Sequence, residues 1–295
     1  MNHVILLLLA LALCIGAGYA VTRRISAKTD LTRSRRIMLA AAVSISLATA
    51  GFFVYLQDYY RADPKAAKYL RSGRGVEVSE IGDAYFFDGP GSENAVVFYP
   101  GAKVEETAYA PLMFRLAEQG ADCFLLKLPF RMAVFRPNAA ADIIGSRGSG
   151  SDSSNNDNNS DSSDNNSDSS YNNYGHWYLM GHSLGGIVAS EYASKNPGDA
   201  DGIILLASYP TRPVPGSEAL LSIYGSDDGC LSMYEYNESR GFRPMISSEM
   251  IIEGGNHAGF GYYGPQEGDG KAGISPYEQQ TLITDRIVKF ISHVS

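Results

Sequence analysis

A short apolar run, Trp177-Tyr178-Leu179-Met180, leads straight into Gly181-His182-Ser183-Leu184-Gly185-Gly186, and text of helical character continues from Leu184 to Lys195. A strand that turns at once into a helix around a serine leaves little conformational freedom. The serine must occupy a sharp, strained turn, so the residues two before and two after it must lack bulk. Gly181 and Gly185 meet that demand. Gly186 and Ala189 let the helix lie close to a sheet. The same turn aims the Leu184 N–H, at the helix start, toward negative charge that develops beside Ser183.

Similar runs recur on both sides. Val76-Val78, Ala84-Phe87, Ala95-Tyr99 and Asp122-Leu128 read as strands, as do Gly202-Ala207, Ala219-Tyr224 and Met250-Glu253. Ala108 to Gln119 has helical spacing and stops at Gly120. Asn138 is placed to cap a short helix through Ile144, and Tyr277 to Ile291 is an amphipathic closing helix. The expectation is an α/β fold: a mostly parallel sheet with helices on both faces. In such sheets ligands bind beyond the carboxyl ends of the strands.

A serine in this setting needs a base, and the base needs an orienting carboxylate. Of the five histidines, His3 lies in an apolar N-terminal run and His176 precedes the strand of the turn. His182 adjoins Ser183 and its side chain diverges in the turn, and His293 ends the last helix. His257 follows the last strand, in Glu253-Gly254-Gly255-Asn256-His257-Ala258-Gly259, and is the one histidine at the carboxyl edge. The strand Ala219-Tyr224 runs into Gly225-Ser226-Asp227-Asp228-Gly229, where two aspartates compete for the carboxylate role. Asp199 and Asp201 precede a strand, at the wrong edge, and read as solvated turn residues. A second oxyanion donor is expected after the third strand, in Tyr99-Pro100-Gly101-Ala102-Lys103-Val104, from the backbone N–H of Ala102 or Lys103.

Charge divides the chain. The net charge is −8, yet residues 1–62 carry seven basic groups against two acidic ones, so this part is +5 and the rest −13. Val4–Val21 and Ile37–Leu56 hold no charge, and each is long enough to cross a hydrocarbon core of ~30 Å as a helix. The basic loop between them, with Arg23, Arg24, Lys28, Arg33, Arg35 and Arg36, belongs on the cytoplasmic side. The expected organisation is a membrane anchor over 1–62 with transmembrane helices 4–21 and 37–56, then a folded domain over 63–295 on the extracytoplasmic side. The alternative for the first span is a cleaved signal ending near Gly18-Tyr19-Ala20, but Met1-Asn2-His3 lacks the basic start of such a signal. Tyr55, Tyr59 and Tyr60 stand where an interfacial aromatic belt would be.

Every residue from Ser151 to Ser170 is Ser, Asn or Asp, so the surrounding stretch of about 146–173 reads as a disordered insert within the folded domain. Its five aspartates match neither the EF-hand loop nor the glycine-rich calcium repeat. Sequons occur at Asn158, Asn165 and Asn237. The acidic balance argues against a nucleic-acid partner. The three cysteines (Cys14, Cys123, Cys230) read as free thiols, and no Cys/His group has zinc-ligand spacing.

Together, Phe98–Glu105, Leu128-Pro129-Phe130, Gly181–Gly186, Gly225–Gly229 and Gly255-Asn256-His257 resemble the α/β-hydrolase superfamily. More narrowly they resemble its fold-5 branch, membrane-tethered bacterial relatives of dienelactone hydrolase. The resemblance covers about Asp58 to the C-terminus. Dienelactone hydrolase itself uses cysteine where this chain has Ser183, so its substrate is not carried over. The branch pattern Gly-Ser-x-Asp-Gly selects Asp228 over Asp227. The resemblance then implies a serine hydrolase: Ser183 as nucleophile, His257 as base, Asp228 as its partner, and the N–H groups of Leu184 and Ala102 as oxyanion hole. No cofactor or metal is expected. The expected partners are a small-molecule acyl substrate and the membrane. An acyltransferase with the same triad and a non-catalytic protein on a hydrolase fold are the alternatives. The segment from Ser208 to Ala219 is too short for a large cap, which points to an open pocket that Tyr209, Tyr262 and Tyr263 could line.

Overall fold

A computed structural model describes residues 3–26, 32–91, 93–145 and 174–294. The insert, with Asn158 and Asn165, therefore lies outside the described residues. Two compact units are present, 1–59 and 60–295.

The first unit consists of helices α1 (His3–Ser26) and α2 (Arg33–Gln57). They pack where Gly18 meets Ser44 and the Ala40 carbonyl; a side chain at 18 would collide with both. Among the described residues one helical stretch, Arg33–Tyr55, is long and apolar enough to cross a membrane. It contains most of the expected span 37–56. The expected span 4–21 is helical, but the side chains of its first half lie outside the described set.

The second unit begins at Tyr60, slightly before the expected boundary at 62/63. The reason is local pairing. The Tyr60 N–H donates to the Lys103 carbonyl at 2.7 Å, and the Ala62 N–H to Glu105 Oε2 at 3.0 Å. This unit holds β1 (Glu77–Ile81), β2 (Ala84–Asp88), β3 (Asn94–Tyr99), α3 (Ala110–Glu118) and β4 (Ala121–Leu126). It continues with α4 (Ala141–Ile144), β5 (His176–His182), α5 (Leu184–Lys195), β6 (Gly202–Leu206) and β7 (Ala219–Gly225). It ends with α6 (Met233–Glu238), β8 (Ser247–Ile252) and α7 (Pro276–Val294).

The eight strands form one sheet in the order β1-β2-β4-β3-β5-β6-β7-β8. Pairing is parallel from β4 through β8, and only β1 and β2 join antiparallel. The continuous apolar runs are explained by burial on both faces. Alternate residues of β3 show it. Val96 and Phe98 pack with Leu112, Met113 and Ile287 from α3 and α7, whereas Val97 and Tyr99 pack with Val188 and Tyr192 from α5.

Boundaries of the expected elements move by a few residues. The helical stretch from Ala108 begins as a 3-10 turn over Glu106–Tyr109 because Pro111 favours a helix start. The last strand begins at Ser247 rather than Met250: its exposed edge residues alternate with partly covered ones and lack an apolar run. The 3-10 helix Pro64–Leu70 and α6 have no counterpart among the expectations. Both are short, and few of their residues are buried, so little apolar periodicity marks them.

Candidate active site

Strand β5 delivers Ser183 to the carboxyl edge in a strained conformation, φ 54° and ψ −126°. Two hydrogen bonds hold it there. The Ser183 N–H donates to the Leu206 carbonyl at 2.9 Å, and Ser208 Oγ donates to the Ser183 carbonyl at 2.7 Å. The flanking glycines are required by contact. A Cβ on Gly181 would lie 2.5 Å from the backbone of Gly185 and Gly186. A Cβ on Gly185 would lie 2.2 Å from the Tyr99 carbonyl oxygen and 2.4 Å from that of Pro100. The start of α5 thus rests on the chain leaving β3, which brings Leu184 near the turn that carries Ala102. The Leu184 N–H is among the helix-start donors without an intrahelical acceptor.

Beyond β7, the Asp228 carboxylate meets the His257 ring. Nδ1 lies 2.9 Å from Oδ2 and 3.1 Å from Oδ1. Both side chains are buried, at 2% and 3% exposure, so little water competes for this contact. Asp228 Oδ1 also accepts the N–H groups of Cys230 and Leu231, at 2.9 and 2.8 Å. Those bonds fix its rotamer. Asp227 is exposed. Ser183 and His257 line one cleft of about 190 Å³, together with Leu184, Ile187, Tyr209 and Leu231. No hydrogen bond joins Ser183 Oγ to the ring, a kind of contact that often tightens only once substrate is bound.

Several residues sit where the sequence did not put them. The His182 side chain diverges from Ser183, as expected, but it turns beneath the site: its ring centroid lies 4.5 Å from that of His257. Asp199 and Asp201 are at the amino edge, yet they are not merely solvated. Asp199 Oδ2 accepts the Tyr192 O–H at 2.6 Å, and Asp201 Oδ2 accepts the Trp177 N–H at 2.9 Å. Tyr209 lines the cleft; Tyr262 and Tyr263 do not. Tyr263 is instead buried, with its O–H on Gln266 Oε1 at 2.9 Å.

Asp269 was not legible at all. Its carboxylate accepts the N–H groups of Gly229, His257, Ala258 and Gly270 at 2.8–3.1 Å. Its only signal is a carboxylate between Gly268 and Gly270, common in any turn.

Cys230 also faces the cleft. Burial pushes its thiol up to about 11, and the carboxylates of Asp269 and Asp228 add to the effect. It is a neutral thiol near pH 7 and a weak nucleophile. Asp228, Cys230 and His257 each place one ligand atom within 4.8 Å of the others, the arrangement among the described residues that could hold a metal ion. Two of those three groups already satisfy one another. Cys14, Cys123 and Cys230 are free.

A family model described as the alpha/beta hydrolase family matches residues 95–151 and 159–281, more than half of the chain. The chain belongs to the alpha/beta hydrolase family. As a member of that family it is a hydrolase, built on the mostly parallel sheet described above. Its fold is similar to that of the virulence factor BioJ of Francisella, at 13% identity and TM-score 0.52, covering 77% of this chain and 88% of that one. It is also similar to TT1662 from Thermus thermophilus, at 12% identity and TM-score 0.50, covering 74% and 98%. Dienelactone hydrolase from Anabaena variabilis overlaps at 10% identity and TM-score 0.49, covering 74% and 98%. No curated protein sequence matches the chain.

Proposed function

We propose that this hydrolase cleaves an ester or related acyl bond through Ser183, His257 and Asp228. The observation that carries the reading is the buried His257 Nδ1–Asp228 Oδ2 contact of 2.9 Å, in the same cleft as a serine held at φ 54°. In the reaction Ser183 Oγ attacks the acyl carbon while His257 Nε2 takes its proton. Asp228 holds Nδ1–H and stabilises the imidazolium. The N–H groups of Leu184 and Ala102 receive the oxyanion. His257 returns the proton to the leaving group, and water, activated by the same imidazole, releases the acid. The cleft is small and has apolar walls at Leu184, Ile187 and Leu231, which suits a short or flexible acyl chain. Turnover of p-nitrophenyl esters of increasing chain length tests this, with Ser183→Ala as control. A Ser183→Ala variant with wild-type turnover would remove the nucleophile and the mechanism together.

The domain is proposed to act outside the cytoplasm, held by α2. The uncharged stretch 37–56 and the basic loop Arg23–Arg36 support that orientation. Protease added to intact protoplasts should degrade the chain after Leu56 and spare the basic loop. Protection of the hydrolase domain would reverse the topology.

A further inference from the structure

Behind the serine, three buried groups from separate segments form a chain of hydrogen bonds. The Gly101 N–H donates to Tyr109 Oη at 3.2 Å, and Tyr109 Oη lies 2.8 Å from His182 Nδ1. Tyr109 is fully buried and His182 is 1% exposed. Gly101 opens the turn that carries Ala102, and His182 is the residue before Ser183. The chain therefore ties the turn after β3 to the nucleophile turn.

Proton accounting fixes the direction of each bond. A tyrosine hydroxyl has one hydrogen to donate. Its oxygen already accepts from Gly101, so the hydrogen goes to His182 Nδ1. The reverse tautomer would leave both that hydrogen and the Nε2 lone pair without a partner in a buried site, whereas this one leaves only the Nε2 hydrogen short of a formed bond, a difference of about 1–3 kcal/mol. His182 Nε2 then carries the ring hydrogen, buried and without a formed hydrogen bond. Burial, and then the nearby His257, hold the His182 pKa well below the ordinary imidazole range. The ring is also stacked on Phe260, centroids 5.3 Å apart, so it cannot swing out. A neutral ring is what the site needs, since His257 becomes cationic in the reaction.

The turn is gripped from its other side as well. The Val104 N–H reaches the Gly101 carbonyl at 3.4 Å, and the Lys103 N–H donates to the Arg131 carbonyl at 2.9 Å. Lys103 itself is at φ 57°. Any Cβ at position 101 would fall 2.8 Å from both His182 Nδ1 and Tyr109 Oη, so the bridge and a side chain exclude each other.

We propose that Tyr109 and His182 are positioning residues that lock the Gly101–Ala102 turn against the nucleophile turn, so that the Ala102 N–H is aimed at the oxyanion. This rests on the serine-hydrolase reading. The role is exerted in the transition state, so it predicts a loss in kcat rather than in KM.

The test uses Tyr109→Phe, His182→Leu and His182→Asn in the full chain. Active sites are titrated with a fluorophosphonate, turnover is read with a short-chain p-nitrophenyl ester, and a boronic acid serves as transition-state mimic. Tyr109→Phe and His182→Leu should lower kcat per titrated site by roughly 10- to 100-fold with KM within about threefold. The boronic acid inhibition constant should rise by a similar factor. An asparagine at 182 can accept the Tyr109 O–H, so His182→Asn should stay within about fivefold of wild type. The Tyr109→Phe, His182→Leu double variant should be no worse than the weaker single one, since both break one chain. A purely structural bridge would lower Tm and leave kcat per titrated site unchanged. That outcome overturns the positioning role while the hydrolase reading stands. A wild-type protein that neither turns over esters nor is labelled at Ser183 overturns the hydrolase reading, and this inference with it.

Discussion

Asp269 Oδ1 lies 3.1 Å from the backbone nitrogen of His257 and accepts its N–H. The same oxygen accepts the Gly229 N–H at 3.1 Å, one residue beyond Asp228. One carboxylate thus joins the loop that carries the imidazole to the loop that carries its partner. The Asp228–His257 contact is braced by a third side chain that bonds the backbone of both loops.

Removing that carboxylate should loosen the pair. Asp269→Ala leaves up to four backbone N–H groups without an acceptor, each worth about 1–3 kcal/mol where it stays buried. We expect a Tm drop of several degrees and a kcat/KM loss of about 100-fold, the scale of a misplaced catalytic group. Asp269→Asn keeps one acceptor oxygen and should fall between. Wild-type kcat/KM in Asp269→Ala would show that other contacts suffice to hold the loop.

The two neighbouring aspartates separate cleanly by chemistry. Asp228 is bonded to the ring, and Asp227 is exposed. Asp228→Asn preserves shape but supports the wrong imidazole tautomer, at a cost of roughly 10⁴ in kcat by analogy with other triads. Asp227→Asn should change kcat less than about tenfold, because a screened surface charge couples weakly to the site. Purified variants assayed on one ester decide it. A crippled Asp227→Asn with an active Asp228→Asn would reverse the assignment.

What the sequence showed, and what it hid, follows from range. The strand–serine–helix turn was legible because its demands are local: Gly181 and Gly185 are needed by atoms within a few residues or on the adjacent strand. His257 was legible by elimination, since sheet topology fixes which loops reach the carboxyl edge. Choosing Asp228 over Asp227 needed a family pattern, as both precede Gly229 in the same turn. The Tyr109–His182 bridge was hidden because it spans 73 residues and Tyr109 reads as one more apolar position on a helix start. The direction of His182 from Ser183 is readable from the turn, but it says nothing of what lies behind it. The hydrogen-bonding roles of Asp199 and Asp201 were hidden for the same reason: a turn aspartate looks alike whether solvated or bonded.

Gly185 gives a prediction about packing. A methyl group there meets the Tyr99 carbonyl oxygen at 2.2 Å, and both partners are backbone. Neither can yield without moving β3 or α5. Gly185→Ala should lower Tm by more than about 5 °C and reduce ester turnover in the fraction that stays folded. Gly216→Ala, with open space around it, is the matched control and should leave both unchanged. Equal Tm values for the two variants would show that the turn at Ser183 is looser than its geometry implies.

The Ser/Asn/Asp tract should be dispensable for chemistry. Its described flanks are Gly145 and Tyr174, and the latter leads into the amino end of β5, away from Ser183. Lengthening a connection from about 5 to about 30 residues costs only ~1.5 kcal/mol in closure entropy, so a change of length here should cost the fold little. Replacing Ser151–Ser170 with a short Gly/Ser linker should leave kcat/KM within a few-fold and Tm equal or slightly higher. A loss beyond about a hundredfold in a folded protein would give the tract a part in shaping the site.

The last prediction concerns pH and a carboxyl remote from the site. Glu218 precedes β7, is 1% exposed, and its carboxylate oxygens have no partner at normal hydrogen-bonding geometry. Burial pushes its pKa up to about 7, and Asp199 and Asp201 press in the same direction. The unfolded value is about 4.5. Between these two values the folded chain holds a proton that the unfolded chain has released, so stability falls as pH rises through that window. Below pH 4.5 the group is protonated in both states and contributes no penalty. Above pH 7 it is charged in both, and the full cost of a buried charge is present. Glutamine keeps the shape without the charge. Tm of Glu218→Gln should therefore match wild type near pH 4.5, exceed it increasingly up to pH 7, and exceed it by a constant amount beyond. Comparing the two proteins at each pH cancels other groups, including Asp122, whose carboxyl is pushed up to about 6 mainly by burial. A gap that stays flat from pH 4.5 to 8, or a glutamine variant less stable at pH 8, would show that Glu218 is charged and well solvated in the folded protein.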